Sequence, residues 1–190
     1  PPYNVISFGD TWRYDDTGTD HGTGWLEATF DDSGWASGPG QLGYGDGDEA
    51  TELTDPDPNH PSHYFRKRFT VEGPVTSATL NLVYDDGAAV WINGNLVASA
   101  NVEDGLDYDD WASSTSSDNS LLVQRLEPSK AGIVDGENLI AVMVKQRNES
   151  SSDLSFDLSL QLTGTADGVE PCATAPDDDT TGDDTDTTGK

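Results

Sequence analysis

Basic residues are scarce in this chain. Nine Lys and Arg stand against 36 Asp and Glu in 190 residues, a formal charge of −27. Such a field repels phosphate backbones and anionic lipid, which argues against nucleic-acid and membrane-surface binding and favours cations. It suits a salty or calcium-rich exterior, where self-repulsion is screened. Cysteine is nearly missing as well. The single Cys172 has no internal partner, so stability must come from the core and from any metal. Cys172 is left free, or for another chain, or for sequence not included here. No apolar run approaches the roughly 18–20 residues that cross a bilayer, which argues against membrane insertion. No stripe of 3.6-residue period lasts three turns, so helix should be confined to a turn near Glu127–Gly132. Catalytic signatures are also lacking: there is no GxSxG elbow, Cys/His pairing, P-loop or HExxH. Carboxylate pairs are too numerous to diagnose acid–base chemistry. The chain reads as no enzyme. It begins Pro1-Pro2 without Met, which is read as the mature start of an exported protein, secreted or on the cell surface. A fragment of a longer chain is the alternative.

Aromatic residues are plentiful: five Trp, six Tyr and five Phe, enough for one buried core. Apolar alternation marks strands at Val5–Phe8, Trp12–Tyr14, Tyr64–Val71, Thr79–Tyr84, Ala88–Ile92, Leu96–Ala98, Leu121–Leu126, Leu139–Lys145 and Leu154–Leu162. Asp85-Asp86-Gly87 and Asn93-Gly94 are turn signals around one strand. In that strand Ala88, Val90 and Ile92 face one way and Ala89 and Trp91 the other. Phe156, Leu158, Leu160 and Leu162 alternate with Ser155, Asp157, Ser159 and Gln161, one dry face and one wet. Leu139–Val144 is apolar on both sides, as in a central strand. Many short strands punctuated by Gly, Pro and Asp predict an all-β jelly-roll β-sandwich of two antiparallel sheets.

Residues 15–62 hold nearly half the glycines and little alternation, and residues 99–120 form a second polar excursion. Loops this long inside a domain are functional or pinned by something. From residue 164 the chain turns to Asp, Thr and Gly with no aromatic residue. The expected division is a domain over 1–163 and a low-complexity acidic linker or tail over 164–190.

Certain motifs recur in a set order: Trp12-Arg13-Tyr14, GTGW at Gly22–Trp25, FDDSGW at Phe30–Trp35 and GPGQLGYGDGDEAT at Gly38–Thr51. YFRKRF at Tyr64–Phe69, DDGAAVWING at Asp85–Gly94, GENLIAV at Gly136–Val142 and SSDLSFDLSL at Ser151–Leu160 follow. This order resembles the galactose-binding-like jelly-roll domain, including the sugar-binding domain of β-galactosidase-type glycoside hydrolases, over about residues 8–163. The resemblance implies a non-catalytic module like those beside secreted bacterial hydrolases and phosphoesterases. Many such domains bind glycans at the loops of one end, and many hold a structural calcium.

Gly45–Glu49 places Asp46, Asp48 and Glu49 within four positions, with glycines that let carbonyls turn inward. Ca²⁺ takes six to eight hard oxygens at about 2.3–2.6 Å, which such a loop supplies. A solvated acidic turn is the competing reading. Asp31 and Asp153 are further ligand candidates or Asx-turn acceptors. For sugars, an exposed ring face with nearby polar groups is needed. Trp111, Tyr108 and Asp110 in the YDDWASS loop are candidates, with Trp91 on the face opposite Val90 and Ile92. Packing under a loop is the alternative for Trp91. Trp25 and Trp35 are read as plugs closing the sandwich ends. Arg66 and Arg68 lie on the side of Tyr64, and an ion pair with Asp85 or Asp86 is expected there. His60 and His63 straddle Pro61, which rules out the helical spacing a zinc pair would use. Asn148-Glu149-Ser150 fits a glycosylation sequon.

Two functions follow. The first is an extracellular carbohydrate-binding or accessory module stapled by calcium, with a glycan or polysaccharide as partner. The second is a structural subunit of a filament, sheath or matrix, joined to copies of itself through strand or tail exchange. A covalently attached catalytic domain would make the chain a targeting module.

Overall fold

The computed structural model of the chain describes residues 1–103 and 105–164. Cys172 and the expected tail past Gly164 lie outside the described residues. Two six-stranded sheets stack as a β-sandwich. The first contains β1 (Pro2–Ile6), β4 (Leu42–Tyr44), β5 (Thr51–Glu52), β7 (Val75–Asp85), β10 (Ser120–Leu126) and β12 (Leu154–Gly164). Its order is β10-β7-β12-β4-β5, with β1 also on β12. The second contains β2 (Thr11–Asp15), β3 (Ala36–Pro39), β6 (Ser62–Val71), β8 (Gly87–Ile92), β9 (Asn95–Ala100) and β11 (Gly136–Lys145). It runs β3-β2-β6-β11-β8-β9. All strand pairs are antiparallel except β4 with β5.

The hairpin β8–β9 forms where expected. Asn93 and Gly94 both take left-handed φ values, 49° and 79°, which suits the twist of the strands they join. The expected helical turn is α1 (Pro128–Ala131), stopped by Gly132 in the left-handed region. β11 is central, between β6 and β8, which is why Leu139–Val144 is apolar on both sides. Three short strands, β3 to β5, lie inside residues 15–62, where alternation is too brief to read. Gly43 is required in β4: a Cβ there would lie 1.9 Å from the Leu154 carbonyl oxygen on β12.

Between the sheets lies the main core. Phe65, Val90, Ile92, Val142 and Val144 from the second sheet meet Leu80, Leu82, Phe156, Leu158 and Leu160 from the first. The opposite face of the second sheet is not open to solvent. Trp25, Tyr64, Ala89, Trp91, Ala141 and Met143 form a separate apolar cluster, covered by Phe30, Trp35, Leu106 and Tyr108. Parts of the two long polar excursions, around Trp25–Trp35 and Leu106–Tyr108, therefore form a lid with its own aromatic core. Trp25 and Trp35 belong to this lid and do not plug the sandwich ends.

Two basic devices pin the lid. Arg66, fully buried, donates to Glu27 O and Phe30 O and pairs with Asp32. Arg68 donates to Ala28 O and pairs with Glu137 at 2.7 Å, and Arg13 donates to Asp32 O and Trp35 O. The expected partners of Arg66 and Arg68, Asp85 and Asp86, are not theirs. Gly87 on β8 lies across β11 from Ser62, at the far end of β6, four residues from Arg66 and about 13 Å away. The second device is Lys145. Its ammonium is buried and spends all three donors on Ser62 Oγ, Asp107 O and Asp110 O, at 2.6–3.0 Å.

His63 is wholly buried on the core side of β6, and neither ring nitrogen has a partner among the described residues. Burial, with His60 adding repulsion, pushes it down to about 4, against weaker opposing pulls from Asp16 and Asp15. The unfolded chain binds this proton from about pH 6.5, and the folded chain only near pH 4. Stability from a neutral His63 is therefore complete above pH 6.5 and lost as pH falls towards 4, by about 3 kcal/mol. His63→Phe should gain about that much relative to wild type between pH 7 and pH 4, measured by urea unfolding. A constant gap across that range would refute the linkage.

Candidate functional site

Residues 105–119 run from the lid, where Leu106 and Tyr108 pack, to the acidic turn after β4, where Asn119 donates to Asp48. That course brings Asp118 beside the carboxylates of Asp46 and Asp153. Asp46, Asp118 and Asp153 place carboxylate oxygens within 4.8 Å of one another, and Asp46, Asp48 and Glu49 form an overlapping trio. Ser155 Oγ donates to Asp46 Oδ2 at 3.0 Å. Asp48 receives amide groups from Gln41 and Asn119. Partial desolvation, together with the charges of Asp118, Asp153 and Asp48, raises Asp46 above its ordinary value. Next to this trio, burial pushes Asp85 up to about 8, with Asp86 and Asp153 adding repulsion.

The donor set fits a hard divalent cation. It offers three convergent carboxylates, and buried Asn119 Oδ1 has no hydrogen-bond partner among the described residues. These are the oxygen donors that Ca²⁺ takes, from flexible loops. Asp118 and Asn119 were not legible as neighbours of this cluster because they lie about seventy residues from Asp48, in a loop whose course no local pattern sets. Asp31 is elsewhere. It is exposed, and its Oδ1 accepts the Ser33 amide, an Asx turn in the lid. Glu49 turns its carboxylate back on its own loop, accepting from the amides of Asp46 and Gly47 at 3.0 and 2.9 Å.

The four aromatic-loop candidates separate. Trp91 is only 7% exposed and packs edge-on against Trp25, 5.5 Å between centroids. The face it occupies is a buried one, because the lid covers it. Tyr108 stacks on Tyr64 at 6.3 Å, and its hydroxyl donates to Gly18 O. Asp110 closes its own loop by accepting the Asp107 amide. Trp111 is partly exposed, and its neighbours are anchored on both sides. Asp110 O is held by Lys145, Ala112 N donates to Gln146 O, and Arg147 donates to Ala112 O. In the sequon, Asn148 Oδ1 accepts from the amide and hydroxyl of Ser150.

A cleft of about 320 Å³ lies at β2 and β6, lined by Arg13, Asp32, Ser37, Arg66, Lys67 and Arg68 among others. Lys67 Nζ donates to Thr11 O and lies 3.5 Å from Asp10. No helix among the described residues is long and apolar enough to cross a membrane.

The described residues form a two-sheet, largely antiparallel β-sandwich with long connecting loops. Solved structures of the same fold include a calcium-binding mutant of Bacteroides uniformis beta-glucuronidase 2, at TM-score 0.57 and 16% identity over 86% of this chain. An uncultured Clostridium sp. beta-glucuronidase matches at TM-score 0.53 and 12% identity over 87%. A Ruminococcus gnavus β-glucuronidase in complex with D-glucuronic acid matches at 0.55 and 10% over 85%. At these identities the likeness is one of fold. This chain spans only 18% of the first of those chains and 29% of the other two. No protein-family model matches the sequence, and no curated protein matches it.

Proposed function

We propose that the chain is a non-catalytic accessory module that binds carbohydrate at its loop-bearing end, is stapled there by calcium, and works outside the cell. The observation that carries this reading is Trp111, a partly exposed indole between two residues whose backbone is pinned by Lys145, Gln146 and Arg147. A pyranose stacks its C–H face on such a ring, and a pre-positioned platform loses little entropy on binding. The likeness to a small part of longer glycoside hydrolase chains supports an accessory role, with an attached domain as partner. Glycan-array binding with and without a chelator tests it. Trp111→Ala should weaken binding about tenfold, worth about 1.4 kcal/mol, at unchanged melting temperature. Absence of binding to every glycan in both conditions would sink the reading.

A second reading, a structural subunit assembling with copies of itself, is favoured by one feature. β10 is an edge strand whose Leu121 and Val123 are 59% and 56% exposed. Sedimentation velocity separates the two readings, since only the second requires concentration-dependent association.

A further inference from the structure

Four of the chain's nine basic residues, Arg13, Arg66, Lys67 and Arg68, line the cleft over β2 and β6. Their ion-pair partners are Asp32, Asp10 and Glu137, and Asp31 also feels the charge of Arg13, so the cleft gathers cations that are scarce in a molecule of net charge −27. Two of those pairings are open to solvent. Arg68 and Glu137 are 42% and 67% exposed, Lys67 and Asp10 19% and 36%, and solvent-exposed ion pairs are weak enough to yield to a ligand. Arg66 is different. Its side chain is fully buried, and its Nε–H has no acceptor among the described residues although both terminal nitrogens are engaged. A buried, charged donor without a partner costs folding free energy, so a cleft that keeps one is built for an acceptor. Ser37 and Thr11 add hydroxyls to the same wall. A volume of about 320 Å³ is at the small end of ligand sites, the scale of one sugar ring.

We infer that this cleft binds the carboxylate or sulfate of an acidic sugar unit. The inference rests on the carbohydrate-binding reading and adds the ligand's charge. Arg13 and Lys67, at the partly exposed rim, meet the anion, and Arg66 supplies the buried Nε–H. The overall field opposes any anion beyond the cleft, so binding is measured at about 0.15 M salt, where the Debye length is about 8 Å.

The test is a ¹H–¹⁵N titration of the full chain with four probes: sodium galacturonate, glucose 6-sulfate, glucose and inorganic sulfate. The Arg66 Nε–H resonance should shift with one or both acidic sugars, at least tenfold more tightly than with glucose, and the pair of them tells carboxylate from sulfate. In the double variant Arg13→Gln, Lys67→Met that affinity should fall at least tenfold, while neutral-glycan binding at Trp111 is kept. An Arg66 signal unmoved by either acidic sugar overturns the inference and leaves the Trp111 reading standing. Inorganic sulfate binding as tightly as glucose 6-sulfate overturns it too, since the cleft would then hold an adventitious ion only. If no glycan binds anywhere, both readings fall together.

Discussion

Adding calcium to chelator-treated protein is expected to raise its melting temperature by about 10 °C. Asp46, Asp118 and Asp153 are three carboxylates that repel one another without a cation. A ligand at a thousand times its dissociation constant stabilises the folded state by about 4 kcal/mol. For a domain of this size each kcal/mol is worth roughly 2–4 °C. The double variant Asp46→Asn, Asp118→Asn should lose the calcium response. In chelator it should melt above wild type, because the repulsion is removed along with the ligands. That reversal distinguishes a metal site from carboxylates that matter only through local hydrogen bonds. The sign with pH follows from the raised value of Asp46. The metal-free fold binds this proton more readily than the unfolded chain, so it gains stability from the group as pH falls. Calcium competes with that proton, and its stabilisation should shrink in the same direction. A melting temperature indifferent to both calcium and chelator would remove the metal from the account.

Arg66→Met should cost about 3–5 kcal/mol, the usual penalty for removing one partner of a buried ion pair. Asp32 would be left without its buried partner, the Phe30 carbonyl would lose the Arg66 donor, and the Glu27 carbonyl would keep only the Phe30 amide. Arg66→Lys should recover little, because an ammonium cannot reach three acceptors in the plane of a guanidinium fork. The loss should be concentrated in the lid, and limited proteolysis would then cut within residues 24–35 before the sandwich strands. A loss below 1 kcal/mol, or cleavage spread evenly over the chain, would mean that Arg66 is not what holds the lid.

The contrast between strands and lid explains what could be read in advance. Phe156, Leu158, Leu160 and Leu162 alternate in the sequence, and all four are fully buried against the opposite sheet. Asn93-Gly94 announces a turn because only a few residue types accept left-handed φ. These are local rules, and they named the sandwich, its central strand and the β8–β9 hairpin. They failed at Trp91. Period-two alternation separates the two faces of a strand but is silent on whether the second face is covered. Here it is covered by residues up to sixty-six positions away, Trp25 among them. The other face of β12 shows the same limit, since Ser155, Asp157 and Ser159 are buried despite their polarity. Asp157 accepts the Gly9 amide at 2.9 Å, a contact spanning 148 residues.

By itself the chain's pattern of apolar pairs and turn residues determined a two-layer β architecture, a near-absence of helix and an acidic, cation-seeking character. Those properties depend on neighbours a few residues apart or on simple sums of charge. Only the tertiary structure decided that Arg66 grips Asp32, that Asp118 joins Asp46 and Asp153, and that Trp111 stays partly exposed while Trp91 is covered. Each of those outcomes depends on where a long loop lands. A loop's landing place is set by buried partners far along the chain, such as Lys145 beneath residues 107–110.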